Sequence, residues 1–553
     1  MYPLRRCISF FVPTLKIMTR DTANKLATAV AVIVIAIYGL QLHHRYLAEF
    51  PAFVHSWSQT DRYAIAIGFL NNDFDLFHPE TLIFNKQYPH WWKHADSSAI
   101  TAVDFPIHEY AVATAMRLSG STSPIVFRLC TLLVALIGMV FLYKLAHELT
   151  DHWLKGLLVA LVAMASPVYA YYAAGFIPGV PALSFAIIAL WAYLRYLRGD
   201  DRYFAWAMAM AAVATLIRTS FAILPVAIVC FEVLRTILRR TSLLPKLPAI
   251  LLSAAAVGGY MAWNAHLRSL YDTVFLSGLA PANDITELKS LLSQAADNWR
   301  YSYFSKFQQW MFFAVAVAAV AWAVYKRFRK RKTVSAEGEQ PADMSLWIFV
   351  GGYMLGCCMF AIAMAQQAPD HDYYFIDTLL LPTLLALALV LRVCPKPKGC
   401  LSTLVATIIV GLIGAKMLVD TSKNLKQRRD YDDRSYQTSQ AFEGSEAWLD
   451  SIGVGPEAKI MAMYAYPQNA PFILMNRRGY TMMWYDDDIV SAGMKFPYDY
   501  IVIENRRFRN DFPYHSKYLG HLQPLATNGK ITLCHYSDSV VVHRVEDFEI
   551  ATK

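Results

Sequence analysis

Long apolar runs separated by short basic segments are the feature of this sequence that most constrains its fold. A helix needs about 20 mostly apolar residues to cross the hydrocarbon core of a bilayer. We predict an α-helical polytopic membrane protein with about eleven such spans. Their expected positions are 26–43, 125–146, 156–174, 180–197, 203–218, 220–236, 247–266, 308–325, 345–365, 375–392 and 401–419.

The overall composition agrees with this class. Apolar residues make up 56% of the chain and charged residues only 17%, whereas soluble proteins carry about 25% charged residues. The low charge comes from long stretches that contain almost none. This pattern excludes a disordered chain, a coiled coil and a purely soluble multidomain enzyme.

The positions of lysine and arginine predict the orientation in the membrane. Residues 1–25 form a basic leader, which predicts a cytoplasmic N-terminus and an uncleaved first span. Later basic clusters, such as KRFRKRK at 326–332, follow every second predicted span, so they all fall on the cytoplasmic side. The net charge of +9 therefore reflects topology and contact with membrane lipid, not a nucleic-acid face. An odd number of spans places the C-terminal segment on the extracytoplasmic side.

Two polar regions are expected outside the cell membrane, one within the transmembrane module at 26–419 and one after it. The first is the outer loop 44–124, and the second is the tail 420–553. The tail is predicted to be a small C-terminal α/β domain. Its expected elements are a helix at 433–453 and strands at 459–466, 499–504 and 531–536.

The first outer loop is where chemistry is most expected. The segment after Asp61 has the apolar spacing of a short amphipathic helix on the membrane surface, whose N-terminus would favour an anion. The aromatic residues of YPHWW (88–92) suit the headgroup layer. Asp61 and Asp104 form the acidic pair of greatest interest. The simpler alternative is that Asp61 caps a helix and Asp104 begins a turn.

The segment WSQTDRYAIAIGFLNNDFDLFHP (57–79) resembles the first outer loop of GT-C glycosyltransferases, and four further motifs follow in order. The similarity is greatest to the bacterial branch related to protein mannosyltransferases, aminoarabinose transferases and lipopolysaccharide-core glycosyltransferases. Two departures are Thr60-Asp61, where relatives often have Asp-Glu, and Gly179, where an acid is often found. The further motifs are Asp104-Phe105-Pro106 with Tyr110, ASPVYAYYAAGFIPGVPALSF (165–185), LIRTSFAILP (216–225) and PDHDYYFIDTLLLP (369–382).

The resemblance implies an inverting enzyme in the inner membrane of a bacterium. It would move a sugar from a polyprenyl-phosphate carrier to a cell-envelope acceptor, either a glycolipid, a glycan or a protein. Asp61 would be the general base, and Asp104 would orient the acceptor or tune the pKa of Asp61. The substrate-binding residues would be Arg62, Arg218, His371, Tyr373, Tyr374 and His108, of which the arginines would hold the phosphate and His371 would be a weaker candidate for it.

No cofactor or divalent metal is expected. The run Asp486-Asp487-Asp488 reads as a solvated turn before a helix, although oligosaccharyltransferase relatives do use a metal. Two other functions remain open. A polysaccharide ligase or polymerase typically places its large outer loop late in the chain, and a secondary transporter is expected to show inverted repeats and broken spans. A non-catalytic scaffold is a third possibility.

Overall fold

The computed structural model describes residues 20–86, 98–240, 242–275, 278–330, 342–397, 399–430, 432–485, 487–511, 520–537 and 539. The basic leader before residue 20, the 88–92 aromatic segment, the end of the 326–332 basic run and Asp486 lie outside the described residues.

Helices make up most of the described chain before residue 428. In order they are α1 (Arg20–His43), α2 (Ser56–Asn71), α3 (Ile107–Ser119), α4 (Pro124–Thr150), α5 (Trp153–Met164), α6 (Pro167–Tyr172), α7 (Gly179–Leu197), α8 (Arg202–Ile217), α9 (Ile223–Arg239), α10 (Leu247–Tyr271), α11 (Ile285–Tyr303), α12 (Lys306–Lys330), α13 (Ala342–Ala363), α14 (Tyr374–Asp377), α15 (Leu380–Val393) and α16 (Cys400–Gln427). Short 3-10 turns lie at Thr219–Ala222, Leu244–Lys246 and Ala365–Gln367.

The predicted spans coincide in position with apolar helices. Eight described helices are long and apolar enough to cross a membrane, and these are α1, α4, α7, α9, α10, α12, α13 and α16. The remaining predicted spans correspond to α5, α8 and α15, which are shorter apolar helices. The predicted span 156–174 is broken because Pro167 lacks the N–H needed to continue α5, and it starts α6 instead.

The helix that carries Asp61 is enclosed by protein, so the prediction of a surface helix is wrong. α2 begins at Ser56, one residue after His55, and every residue from Gln59 to Phe69 is buried. Asp61 therefore lies in the second turn and does not cap the helix. The sequence pattern misled because the polar face of α2 is covered by a domain that lies some 400 positions later in the chain, not by water.

The tail folds into a five-stranded sheet with helices, as expected. Its sheet order is β2-β1-β3-β5-β4, where β1 is parallel to β2 and β3, and β5 is antiparallel to β3 and β4. The elements are α17 (Arg434–Phe442), α18 (Ser445–Ser451), β1 (Lys459–Met463), α19 (Ala470–Met475), β2 (Arg478–Met482), α20 (Asp487–Gly493), β3 (Tyr500–Glu504), α21 (Asn505–Asp511), β4 (Leu522–Thr527) and β5 (Ile531–Tyr536).

Three details of the tail differ from the sequence prediction. Strands β2 and β4 were not predicted, because RGYTM and LQPLAT lack a clear apolar alternation. The expected single helix at 433–453 is interrupted at Gly444, which adopts a left-handed conformation. The last long helix, α16, continues to Gln427 and does not end near 419.

The first outer loop is joined to the edge of this sheet. Ile83 pairs in parallel with Gly479 of β2, and the Phe84 N–H donates to the Gly479 carbonyl at 2.8 Å. The Asn85 amide donates to the Thr481 carbonyl and accepts from the Thr481 N–H. Because apolar residues of α2 and of the sheet share one buried cluster, the loop and the tail form a continuous structure.

Candidate active site

A cavity of about 1050 Å³ lies between the helical module and the C-terminal domain. Its wall is assembled from α2, the 102–104 segment, the end of α10, the 367–374 turn and the start of the C-terminal domain. Seven of the eight predicted site residues line it, although they are spread over more than 300 positions of sequence. These are Asp61, Arg62, Asp104, Arg218, His371, Tyr373 and Tyr374.

Asp61 is fully buried and is held by two amide side chains. Gln468 Nε2 donates to both carboxylate oxygens, at 3.1 and 3.0 Å, and Asn469 Nδ2 donates to Oδ1 at 2.8 Å. Burial raises the pKa of Asp61 to about 7, against the opposing effects of these donors and of Arg62. The carboxyl group can therefore exchange a proton near neutral pH, as a general base must.

Arg62 joins two further acids of the outer loop. Its guanidinium contacts Glu109 Oε1 at 3.2 Å and Asp104 Oδ2 at 3.5 Å, and it lies over the Phe275 ring. Asp104 also accepts a hydrogen bond from the Thr219 hydroxyl. Asp104 is thus fixed in the cavity wall by Arg62 and Thr219. The charge of Arg62 is shared between two carboxylates before any substrate is present.

Arg218 follows the last residue of α8 and pairs with a buried acid. Its Nε donates to Asp377 Oδ2 at 2.8 Å, and its guanidinium lies near the rings of Tyr373 and Tyr374. A Cβ atom at Gly179 would lie 2.5 Å from Asp377 Oδ1. The carboxylate of Asp377 therefore occupies the space that a side chain at position 179 would fill.

His371 is neutral at physiological pH, which changes its expected role. Its Nδ1 lies 3.0 Å from the Gln367 carbonyl oxygen, which can only accept, so Nδ1 carries the proton. Burial and the neighbouring His55 lower the pKa of His371 to about 4. A neutral ring with Nε2 as an acceptor does not add positive charge for a phosphate. The His371 and His55 rings stack at 5.3 Å.

Two arginines that line the cavity were missed from the sequence. Arg428 donates to Asp372 at 2.6 Å. Burial alone would raise the pKa of Asp372, but Arg428 and His55 outweigh it and hold this pKa well below its usual range. Arg268, near the end of α10, is exposed and pairs with no carboxylate among the described residues. In the sequence both arginines look like ordinary charges at the ends of apolar spans.

His108 is placed away from the cavity, contrary to the prediction of a substrate contact. It is buried between α3 and α4, where its Nε2 lies 3.0 Å from the Thr131 hydroxyl and its ring packs against Phe127. The residue therefore joins two helices. Within the described ranges, no group of three or more His, Cys, Asp or Glu side chains is arranged to hold a metal ion.

Together the apolar helices and the cavity define a multi-pass membrane protein with a candidate site between its bundle and a small α/β domain. Residues 103–263 match the model of the dolichyl-phosphate-mannose-protein mannosyltransferase family, a GT-C family. This match confirms, over that segment, the resemblance to GT-C glycosyltransferases. No curated protein matches this chain.

Several solved structures have a similar overall shape at low sequence identity. The apo form of ArnT from Cupriavidus metallidurans has 10% identity and a TM-score of 0.44, and the match covers 93% of this chain and 98% of that one. The same protein bound to undecaprenyl phosphate has 11% identity and a TM-score of 0.44, and the match covers 95% of this chain and 100% of that one. The archaeal oligosaccharyltransferase AglB from Archaeoglobus fulgidus, in complex with an inhibitory peptide and a dolichol-phosphate, has 12% identity and a TM-score of 0.48. The match covers 93% of this chain and 74% of that one.

Proposed function

We propose that this protein is an inverting glycosyltransferase that moves a hexosyl or pentosyl group from a polyprenyl-phosphate carrier to an acceptor hydroxyl of the cell envelope. The observation that carries the proposal is the convergence of seven predicted site residues on one cavity, with a buried carboxylate at Asp61 whose pKa is about 7. The family match over 103–263 supports the same reaction class.

In the proposed reaction, the Asp61 carboxylate takes the proton from the acceptor hydroxyl. The acceptor oxygen then attacks the anomeric carbon, the bond from that carbon to the phosphate oxygen breaks, and polyprenyl phosphate leaves with the bonding electrons. Attack opposite the leaving group inverts the anomeric centre. Asp104, which Arg62 and Thr219 hold in the cavity wall, orients the acceptor in this proposal. General base catalysis of this kind contributes about 10²–10⁴-fold to the rate.

The developing charge on the phosphate needs cationic partners. Arg268 is the best suited of the cavity arginines, because no described carboxylate pairs with it and it is exposed. Arg62 and Arg218 are already paired with acids, so each can give only part of its hydrogen-bonding capacity to a phosphate. Tyr373 and Tyr374 line the cavity near Arg218, and in this proposal their hydroxyl groups donate hydrogen bonds to the donor.

The setting of the reaction follows from the sequence and is part of the proposal. The donor is an anionic lipid, so the site must be reachable from the bilayer. The acceptor is a glycolipid, a glycan or a protein on the extracytoplasmic face of a bacterial inner membrane. The reaction as written requires no metal ion or organic cofactor.

The test replaces Asp61 by asparagine, which keeps the size of the side chain but cannot accept the proton. We expect Asp61→Asn to lower transfer from a polyprenyl-phosphate sugar by about 10²-fold or more, with donor binding largely retained. The matched control is Asp73→Asn, an exposed outer-loop acid outside the cavity, at φ 54°, a conformation that asparagine also adopts readily. Near-normal transfer by Asp61→Asn would remove Asp61 as the base.

A further inference from the structure

Two amide side chains of the C-terminal domain contact the Asp61 carboxylate. Gln468 and Asn469 lie between β1 and α19, and both are fully buried. Together they place three hydrogen bonds on the carboxylate, with at least one on each oxygen. Both residues are about 400 positions from Asp61 in the sequence, so the contact exists only in the folded protein.

The orientation of Asn469 is set by the docking of the outer loop. Its Oδ1 accepts from the Leu82 N–H at 3.3 Å while its Nδ2 donates to Asp61. Leu82 is next to Ile83, which pairs with Gly479 at the sheet edge. The contact that joins the loop to the sheet therefore also points the amide N–H of Asn469 at the carboxylate.

No cation bonds directly to Asp61 among the described side chains. Arg62 is adjacent in sequence, but its guanidinium hydrogen-bonds to Asp104 and Glu109. Neutral amides do not titrate, so their stabilisation of the anion is the same at every pH. The other charged or titratable groups that face the cavity are His55, Arg218, Arg268, Asp370, His371, Tyr373, Tyr374, Arg428, Asp433 and Tyr466.

We infer that Gln468 and Asn469 are positioning residues for the transfer reaction, which fix the Asp61 carboxylate in place and favour its ionised form. The C-terminal domain is on this account a working part of the active site. The inference rests on the proposed function, because it concerns the residue that we propose as the base. Hydrogen bonds to the charged form of an acid favour that form, so removing them raises the pKa of Asp61.

The first experiment measures transfer against pH for Gln468→Met and Asn469→Leu, which keep the side-chain volume but remove the donors. We expect the acidic limb of the profile to move to higher pH by roughly one unit for each variant, with the rate partly recovered in alkaline buffer. A loss of rate that is equal at every pH, with the limb unmoved, would show a purely structural role and overturn the inference.

The matched control is Asn85→Ser. Asn85 is a buried amide that also bridges the loop and the sheet, through Thr481, but does not contact Asp61. It removes a comparable docking contact while leaving the donors to Asp61 intact. We expect its rate to fall, if at all, without any movement of the acidic limb. A shift as large as that of Gln468→Met would contradict the assignment.

A second experiment needs no activity. Carbodiimides modify protonated carboxyl groups, so the pH dependence of Asp61 modification, followed by mass spectrometry of the full-length protein in nanodiscs, reports its titration directly. We expect the midpoint in Gln468→Met and Asn469→Leu to lie roughly one unit above that of the wild type. Identical midpoints would overturn the inference. A shifted midpoint combined with normal transfer by Asp61→Asn would confirm that the amides act on the Asp61 carboxyl group but would remove Asp61 as the base, and with it the role of the amides in transfer.

Discussion

At the level of single residues, Asp61 shows how burial and hydrogen bonding oppose each other at one carboxyl group. Burial penalises the anion. The three hydrogen bonds from Gln468 and Asn469, the nearby charge of Arg62 and the Trp57 side chain reduce that penalty. The net result is a pKa of about 7, well above the usual value of an aspartate. A base with this pKa is ionised for part of the time at neutral pH and is still strong enough to take a proton.

This pKa predicts how the rate of transfer depends on pH. Only the ionised form of Asp61 accepts a proton, so the rate should fall as the pH drops through about 7 and level off above it. His371 cannot be the source of this limb, because its pKa is about 4. The measurement is kcat for transfer in nanodiscs between about pH 5 and pH 9. A profile that is flat across neutrality would contradict the role of Asp61.

The sequence points to Asp61, Asp104 and the two paired arginines as candidate site residues because they stand in motifs, but it does not predict their partners. Gln468 and Asn469 carry no pattern of their own and come close to Asp61 only through tertiary structure. The neutral state of His371 was equally hidden, because it follows from burial and from the Gln367 carbonyl. Charge, burial and tautomer are properties of the assembled cavity.

At the level of elements, the start of α7 matters because it comes very close to α14. Gly179 is the first residue of α7, and Asp377, which pairs with Arg218, is the last residue of α14. Any side chain at position 179 would overlap Asp377 Oδ1. The acid that relatives often place between the third and fourth spans would thus compete for the space that Asp377 fills here.

This packing predicts that Gly179→Ala disturbs the pair between Asp377 and Arg218. Alanine is otherwise favoured in a helix, but here its Cβ displaces the carboxylate, and we expect donor affinity to fall several-fold. The measurement is binding of a polyprenyl-phosphate sugar to the purified protein. Gly258→Ala in α10 is the control, since nothing lies near an added Cβ there. Equal affinities in the two variants would show that the close approach is tolerated.

The sequence located the helices well because apolar length is a local property. The sequence-based prediction was wrong for α2. This helix has the apolar pattern of a surface helix, but a domain distant in sequence covers it. The prediction also failed for the span 156–174, where Pro167 divides α5 from α6. Strands β2 and β4 were missed because their burial depends on neighbouring strands more than on their own alternation.

At the level of the whole molecule, the fold class and the C-terminal α/β domain could be predicted, whereas the contact between the domain and the first outer loop could not. That contact depends on a strand pairing between Ile83 and Gly479 and on an ion pair between Arg478 and Glu80. Neither is visible as a spacing in the sequence. The cavity is a consequence of this contact, since its wall includes residues from both regions.

The orientation of the molecule in the membrane is a separate prediction. Single cysteines at Asn528 and Asp201, both exposed, would be introduced into a chain that lacks reactive native thiols. We expect Asn528→Cys to react with an impermeant reagent added to intact cells, because the positions of lysine and arginine predict that the C-terminal domain faces outward. Asp201→Cys, between the basic residues Arg198 and Arg202, should react only after the membrane is opened. The reverse pattern would place the cavity on the cytoplasmic side.

The long sequence separation between Asp61 and its amide partners also has a consequence during synthesis. The two amides are 407 and 408 positions further along the chain, so at about 5–20 residues per second they follow Asp61 out of the ribosome by roughly 20–80 s. Throughout that interval these two amides cannot donate to the Asp61 carboxylate. If Asp61 is the base proposed above, the site is therefore complete only when the C-terminal domain has folded.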